Sequence, residues 1–179
     1  MSNVALCRSC SRPLADVCVD LGMSPLCQKH VKADDLNRME AFYPLKVWVC
    51  SSCWLVQLEE YVGPDELFEH YEYFASYSTS WVEHARAYVE MISQRLELDE
   101  GSRVVEIASN DGYLLQYFKG KGIPVLGIEP AKNVAEAAES IGSPTVIKFF
   151  GVQTSRELAS KGKCADLLIG NNVLALVPN

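Results

Sequence analysis

Two Cys-x-x-Cys pairs, Cys7 with Cys10 in "CRSC" and Cys50 with Cys53 in "CSSC", constrain this chain more than any other feature. Each spacing lets one tight turn aim two thiolates at a single ion, and two such knuckles complete a tetrahedral site. Residues 11–49 separate the pairs, a longer gap than the ~15 to 20 residues of a compact finger. The second knuckle must therefore return from an excursion, and the strand-like "LKVWVC" is placed to bring it back. Two exposed thiol pairs in a small block would oxidise readily and leave it without a staple. Cys7, Cys10, Cys50 and Cys53 are thus expected to hold a structural Zn2+ ion. Four sulfur ligands close the coordination sphere, so this metal builds fold and does no Lewis-acid chemistry.

The same block reads as short strands, "DVCVDLG", "LKVWVC" and "LVQLEEYV", with the polar "QKHVKADDLNRMEAFYP" as a surface excursion ending before Pro44. Cys18 and Cys27 lack partners at ligand spacing and are expected to pack as small apolar side chains. His30 finds no vacancy at a site already filled by four thiolates. No stretch approaches the ~20 apolar residues of a membrane span, and the start lacks a basic segment followed by an apolar one. A reducing cytoplasm is the default expectation, with the seven cysteines as ligands and buried thiols and not a disulfide framework. A net charge of -7 with scattered Lys and Arg argues against a binder of nucleic-acid backbone.

From Gly63 the texture changes. "GPDELFEHYEYF" suggests a short helix with Pro64 in its first turn, and the Tyr- and Ser-rich "FASYSTS" reads as a linker or lid. Ser80 with Glu83 matches a capping box, and Trp81, Ala85, Tyr88, Ile92 and Leu96 recur on one helical face. After "DEGS" strands and helices alternate: "RVVEIA", a helix from Asp111 to Lys119, "PVLGIE", a helix from Asn133 to Ile141, "PTVIKF", a helix near Ser155 to Ser160, and "ADLLIG". Such alternation implies an α/β domain with a parallel sheet and crossover helices.

"VVEIASNDGYLL" is then a strand turning tightly into a helix. It lacks the G-x-G-x-x-G that lets a pyrophosphate approach the backbone, keeping only Gly112. Ser109, Asn110 and Asp111 offer polar groups and a carboxylate, and Glu106 adds a second acid. Acids repel pyrophosphate and suit a ligand with an ammonium or sulfonium charge and a ribose. Glu129, ending "VLGIEP" some twenty residues on, stands where a ribose-binding acid is expected. With Asn171 and Asn172, three strand ends finish in polar groups, where ligands of open parallel sheets bind. The plainer alternative makes Asp111 a helix cap and Glu129 a solvated strand end.

"CRSC" and "CSSC", then "LVQLEEYVGPDELFEHYEYFASYSTSW", "VVEIASNDGYLLQYFKGKGIPVLGIEPAKNVAEAA" and "ADLLIGNNVLALVPN" together resemble the deoxysugar C-methyltransferases along essentially the whole chain. The resemblance implies a zinc-binding domain over residues 1–62, a helical linker over 63–98, and over 99–179 the first half, about four strands, of a Rossmann-like class I methyltransferase sheet. It implies S-adenosylmethionine as methyl donor and a nucleotide-linked keto-deoxysugar as substrate, deprotonated beside its ketone so that the enolate takes the methyl group. It places the donor on Glu106, Ser109, Asn110, Asp111, Gly112, Glu129 and Pro130, near Phe149, Phe150 and Asn171, and it makes Tyr77 an active-site hydroxyl. Read from the residues alone, Phe149 and Phe150 suit either an adenine or the core, and Tyr77 suits a half-buried linker position.

Two departures from the family pattern bear on activity. Leu176 stands where the family carries a histidine, and leucine neither shares a proton nor hydrogen-bonds a ketone. The chain also stops after its fourth parallel strand, so it is expected to be inactive alone. A non-catalytic zinc-containing module that binds a ligand or partner is the alternative reading. Since the strand 165–170 is the last, it is expected to be an exposed apolar sheet edge, with homo-oligomers through that edge or a completing carboxy-terminal partner. His70 and His84 read as surface histidines.

Overall fold

A computed structural model describes residues 5–68 and 70–177. The chain divides into two compact units, Met1–Leu67 and Phe68–Asn179.

The first unit is an antiparallel sheet in the order β1-β2-β3, with β1 Asp16–Pro25, β2 Phe42–Val49 and β3 Val56–Leu58. The excursion between β1 and β2 carries a single 3-10 turn at Ala33–Asp35. It ends earlier than expected, because Pro44 lies inside β2, opposite Met23. Proline is tolerated there because β3 pairs only with Val47–Val49, leaving the Pro44 end of β2 with β1 alone. A knuckle precedes β1 and another joins β2 to β3. β1 is exposed along nearly its whole length, so Cys18 does not pack into a core. It sits at a register shift between Val17 and Val19, and Cys27 is likewise exposed. The apolar residues this unit buries, among those described, are Cys7, Leu14 and Cys50, with Ala5, Cys10, Trp48 and Leu55 against them and Gln57 buried beside Cys7. The sulfur cage is the core. The helix α1, Pro64–Phe68, runs across the division, with Pro64 leading as expected.

The second unit holds four parallel strands in the order β6-β5-β4-β7: β4 Val104–Ile107, β5 Val125–Ile128, β6 Thr145–Val146 and β7 Leu167–Gly170. Between them run α3 Leu115–Gly120, α4 Lys132–Ser140 and α5 Val152–Ser160. Every residue of the interior strand β4 is buried, and alternation sends its neighbours to opposite faces. Val104 joins Ala85, Val89, Leu115, Phe118 and Ile169 in one cluster, whereas Val105 joins Leu126, Ile128 and Leu158 in another. The helix α2, Thr79–Arg95, buries Ala85, Val89 and Ser93. Its face is rotated from the expected one, with Trp81 and Leu96 exposed and Tyr88 and Ile92 half-buried.

Helix starts shift from the sequence reading: α5 begins at Val152 and not near Ser155, α4 one residue early at Lys132, and α2 and α3 differ more tellingly. The cap of α2 is Ser78, whose Oγ accepts the Trp81 N–H, and not Ser80. Glu83 turns instead to Arg86, three residues on, at 2.6 Å. α3 begins four residues after Asp111, because Asn110 at φ 49° and Gly112 at φ 78° keep the chain in left-handed turns. Among the described residues no helix is long and apolar enough to cross a membrane.

Candidate functional site

The two knuckles are built alike. In each, the N–H four residues on returns to the carbonyl of the first cysteine: Ser11 to Cys7 and Trp54 to Cys50, both at 2.8 Å. Each first cysteine's own N–H reaches five residues on, to Arg12 and Leu55. Ser11 and Trp54 take positive φ, 58° and 64°, at equivalent positions. Two copies of one turn thus face their thiols together, and the four sulfur atoms all lie within 4.8 Å of one another. Cys7 Sγ is 3.6 Å from Cys53 Sγ and Cys10 Sγ is 3.5 Å from Cys50 Sγ. Zinc with bonds of about 2.3 Å to a sulfur tetrahedron needs edges of about 3.8 Å, so this donor set fits the ion.

Gln57 braces the cage. Its Nε2 donates to Cys7 Sγ at 3.3 Å while its Oε1 accepts the Arg8 N–H at 3.0 Å. That amide, with the Cys10 N–H, holds the Cys7 thiol down to about 6. The backbone N–H groups of Cys53 and Ser52 lower Cys50. The Arg12 N–H favours the Cys10 thiolate too, but burial and the proton shared with the other thiols outweigh it and push Cys10 up to about 12. Four negative sulfurs do not coexist here without a cation. His30 is exposed and outside the cluster.

In the second unit the ends of β4 and β5 gather three buried acids. Glu106 is wholly buried, with Oε1 accepting from Asn171 Nδ2 at 3.3 Å and Oε2 lacking a partner among the described residues. The same Asn171 amide donates to the Tyr113 hydroxyl at 3.0 Å. Glu129 is buried and receives two backbone donors, Asn110 N–H at 3.0 Å and Ala131 N–H at 2.9 Å. Asp111 accepts the Ser76 N–H on Oδ2 at 3.1 Å, and its buried Oδ1 has no partner among the described residues, nor does Ser109 Oγ. Asp111 therefore does not cap α3, and Glu129 is no solvated strand end. Burial raises Glu106 well above the ordinary carboxylate range, and repulsion from Glu129 and Asp111 adds to it. Burial likewise raises Glu129. Among the described ion pairs none involves these acids.

Gly112 holds a positive φ at the heart of this turn, and Pro130 follows Glu129 half-buried. Of the two phenylalanines, Phe150 packs on the cluster of Val105, Leu126, Ile128 and Leu158, while Phe149 meets Phe68 edge-on with ring centres 6.3 Å apart. Tyr77 is 83% exposed and stacks on Phe74, one residue beyond the Ser76 N–H that Asp111 accepts. Leu176 is exposed in the 3-10 turn Leu174–Leu176. His84 stacks on Trp81 and His70 pairs with Glu72, both at the surface. The sequence reading missed Tyr113 as a neighbour of Glu106 and Asn133 as a tie to Tyr71; neither side chain belongs to a recognisable motif.

Comparison with known proteins bears on both units. Residues 7–68 match a family described as "Putative zinc binding domain". The chain is 35% identical over 173 residues to the C-methyltransferase NovU of Streptomyces niveus, covering 97% of this chain and 41% of that protein. It thus spans about two-fifths of the length of that curated relative. Among solved structures, a SAM-dependent methyltransferase from Archaeoglobus fulgidus is 19% identical, with a TM-score of 0.32 over 37% of this chain and 29% of that one. Another, from Thiobacillus denitrificans in complex with S-adenosyl-L-homocysteine, is 21% identical, with a TM-score of 0.29 over the same shares. Overlaps this small carry no weight, whereas the cysteine cage and the long sequence match do. The chain is therefore similar to a C-methyltransferase over nearly its whole length, and its residues 7–68 match a zinc-binding family.

Proposed function

We propose that this chain binds S-adenosylmethionine at the turn after β4 and serves an enzyme that methylates a carbon of a nucleotide-linked keto-deoxysugar. The observation that carries the reading is the buried trio Glu106, Asp111 and Glu129, which has no Lys or Arg partner among the described residues. Buried charge of one sign demands a counter-charge or protons. Among the described residues only the four cysteines gather three or more ligand atoms closely enough for one metal ion, so the three acids do not share a single ion. An organic ligand with separated cationic groups suits them, and the relationship to a C-methyltransferase supports the same choice.

In this reading Glu129, held by two backbone N–H groups, keeps a free lone pair on each oxygen for the ribose hydroxyls. Asp111 Oδ1 and Glu106 Oε2 face the ammonium and sulfonium end, with Ser109, Asn110 and Gly112 shaping the turn and Asn171 orienting Glu106. Phe149 and Pro130 border the adenine, and Phe150 supports them from the core. The donor supplies an electrophilic methyl group. The sugar carbon beside the ketone would receive that methyl group as its enolate, its proton passing to a base that is not among these residues. Tyr77, one residue beyond the Ser76 N–H that Asp111 accepts, is the hydroxyl assigned to the sugar. The free cysteines suit a reducing cytoplasm, and the exposed β7 edge suits a second copy or a completing carboxy-terminal partner.

Calorimetry with S-adenosylhomocysteine tests the donor site. Asp111→Asn keeps an acceptor for the Ser76 N–H and removes the charge, so affinity should fall about tenfold or more. Unchanged affinity in Asp111→Asn, or no binding to the parent chain at millimolar ligand, would reject the assignment.

A further inference from the structure

The segment from Tyr71 to Ser78 crosses the donor turn with almost no regular structure of its own. Its internal backbone bonds are two short-range ones, Tyr77 N–H to Phe74 and Ser78 N–H to Ala75. Every other hydrogen bond its backbone makes within the described structure, apart from the first turn of α2, goes to one of three side chains. Asn133, in the first turn of α4, accepts the Tyr71 N–H at 3.1 Å and donates to the Tyr71 carbonyl at 2.7 Å. Asn110 accepts the Ala75 N–H at 2.9 Å and donates to the Tyr73 carbonyl at 2.9 Å. Asp111 accepts the Ser76 N–H at 3.1 Å.

We infer that Tyr71–Ser78 is a strap latched by Asn133, Asn110 and Asp111, and that these side chains position Tyr77 in step with occupation of the donor turn. The inference rests on the donor reading for its coupling and on geometry alone for the latch. Two asparagine forks mimic a strand pairing, each amide giving and taking one bond with the main chain. Asparagine also suits position 110 because that residue holds a φ of 49°, which asparagine tolerates better than most residues. The Asn110 N–H in turn donates to Glu129 Oε2. A ligand drawn to Glu129 or Asp111 therefore acts on the same residues that hold the strap. Because the latch is made of side chains, it opens without breaking any strand pairing. Ring contacts of Tyr71 with Phe68 and Tyr73 run alongside it.

Hydrogen exchange on the full chain, read by mass spectrometry, tests both parts. Asn110→Gly keeps the positive φ and Asn133→Ala suits a helix, so each removes a fork without disturbing its own backbone. Either variant should speed exchange across 71–78 by about tenfold, with β4 and β5 unchanged. Asn110→Asp, which keeps the acceptor for the Ala75 N–H, should restore part of the protection. In the parent chain, saturating S-adenosylhomocysteine should slow strap exchange, and Asn133→Ala, remote from the ligand contacts, should weaken binding by about fivefold or more. Strap exchange unaltered in both variants overturns the latch. Measurable ligand binding with an unresponsive strap overturns the coupling while sparing the donor site. No ligand binding, with the latch responding to the variants, overturns the donor reading and the coupling together.

Discussion

Gly127→Ala probes how the turn bearing Asn110 and Asp111 is supported from the sheet. A Cβ at Gly127 would stand 3.0 Å from Ser109 Cβ and 3.0 Å from Thr145 Oγ1, and nearer still to Ser109 Oγ. Ser109 is fully buried and lies between two residues of positive φ, Ala108 at 53° and Asn110 at 49°. It yields only if the turn moves. Overpacking costs roughly 1 to 3 kcal/mol, and contacts this close belong at the upper end, about 3 kcal/mol. Alanine also restricts the unfolded chain, which returns roughly 0.4 to 1 kcal/mol. Steric crowding wins by about 2 kcal/mol. For a unit of roughly 110 residues, with about 2.1 cal/mol/K of unfolding entropy per residue, the melting temperature falls by about 9 °C. Scanning calorimetry of the second unit reads this directly. Gly120→Ala is the control, since a Cβ there meets nothing within 4 Å. Ser109→Gly in the Gly127→Ala background should recover stability that Ser109→Gly alone does not gain, a coupling of about 1 to 2 kcal/mol. A melting temperature within about 2 °C of the parent, or strictly additive effects, would refute the idea that Gly127 makes room for Ser109.

Cys50→Ser, or a strong chelator, should erase the circular-dichroism signal of β1–β3 and leave the second unit's transition in place, because the cage is most of the first unit's core; a persisting sheet without metal would contradict this. Glu106 is raised above 4.5 by burial, so the folded unit binds this proton more tightly than the unfolded chain. Its stabilisation is complete below the unfolded value and is lost as pH climbs through the folded one. With other groups unchanged, Glu106→Gln should therefore raise the unliganded melting temperature at pH 8 more than at pH 5, and an equal rise at both would count against the buried acid. Ser78→Ala should cost about 1 kcal/mol through loss of the α2 cap, whereas Ser80→Ala should be near neutral; urea titrations that reverse this order would restore the capping box. Leu168→Lys, on the edge strand β7 where Leu168 is 52% exposed, should lower any self-association seen by light scattering, and an unaffected oligomer would exclude that edge.

Local chemistry alone determined the zinc cage, because a Cys-x-x-Cys turn encloses its geometry within four residues and two such turns have few other uses. The parallel sheet was equally legible, since alternation of apolar strands with amphipathic helices is a short-range signal. The acids were visible at strand ends, but not that both oxygens of Glu129 are held by the main chain or that Glu106 is buried without a counter-charge. Burial depends on what packs above a residue, which its own neighbours in sequence do not record. For the same reason Cys18 looked like a core residue and lies exposed, its strand having no layer over it among the described contacts. The helix cap slipped by two residues because Ser78, Thr79 and Ser80 offer similar hydroxyls and only the backbone angle at Ser78 selects one. The strap was hidden most completely. Its bonds join residues 35, 37 and 62 positions apart, and an asparagine that will fork onto a distant main chain reads, in sequence, like any other.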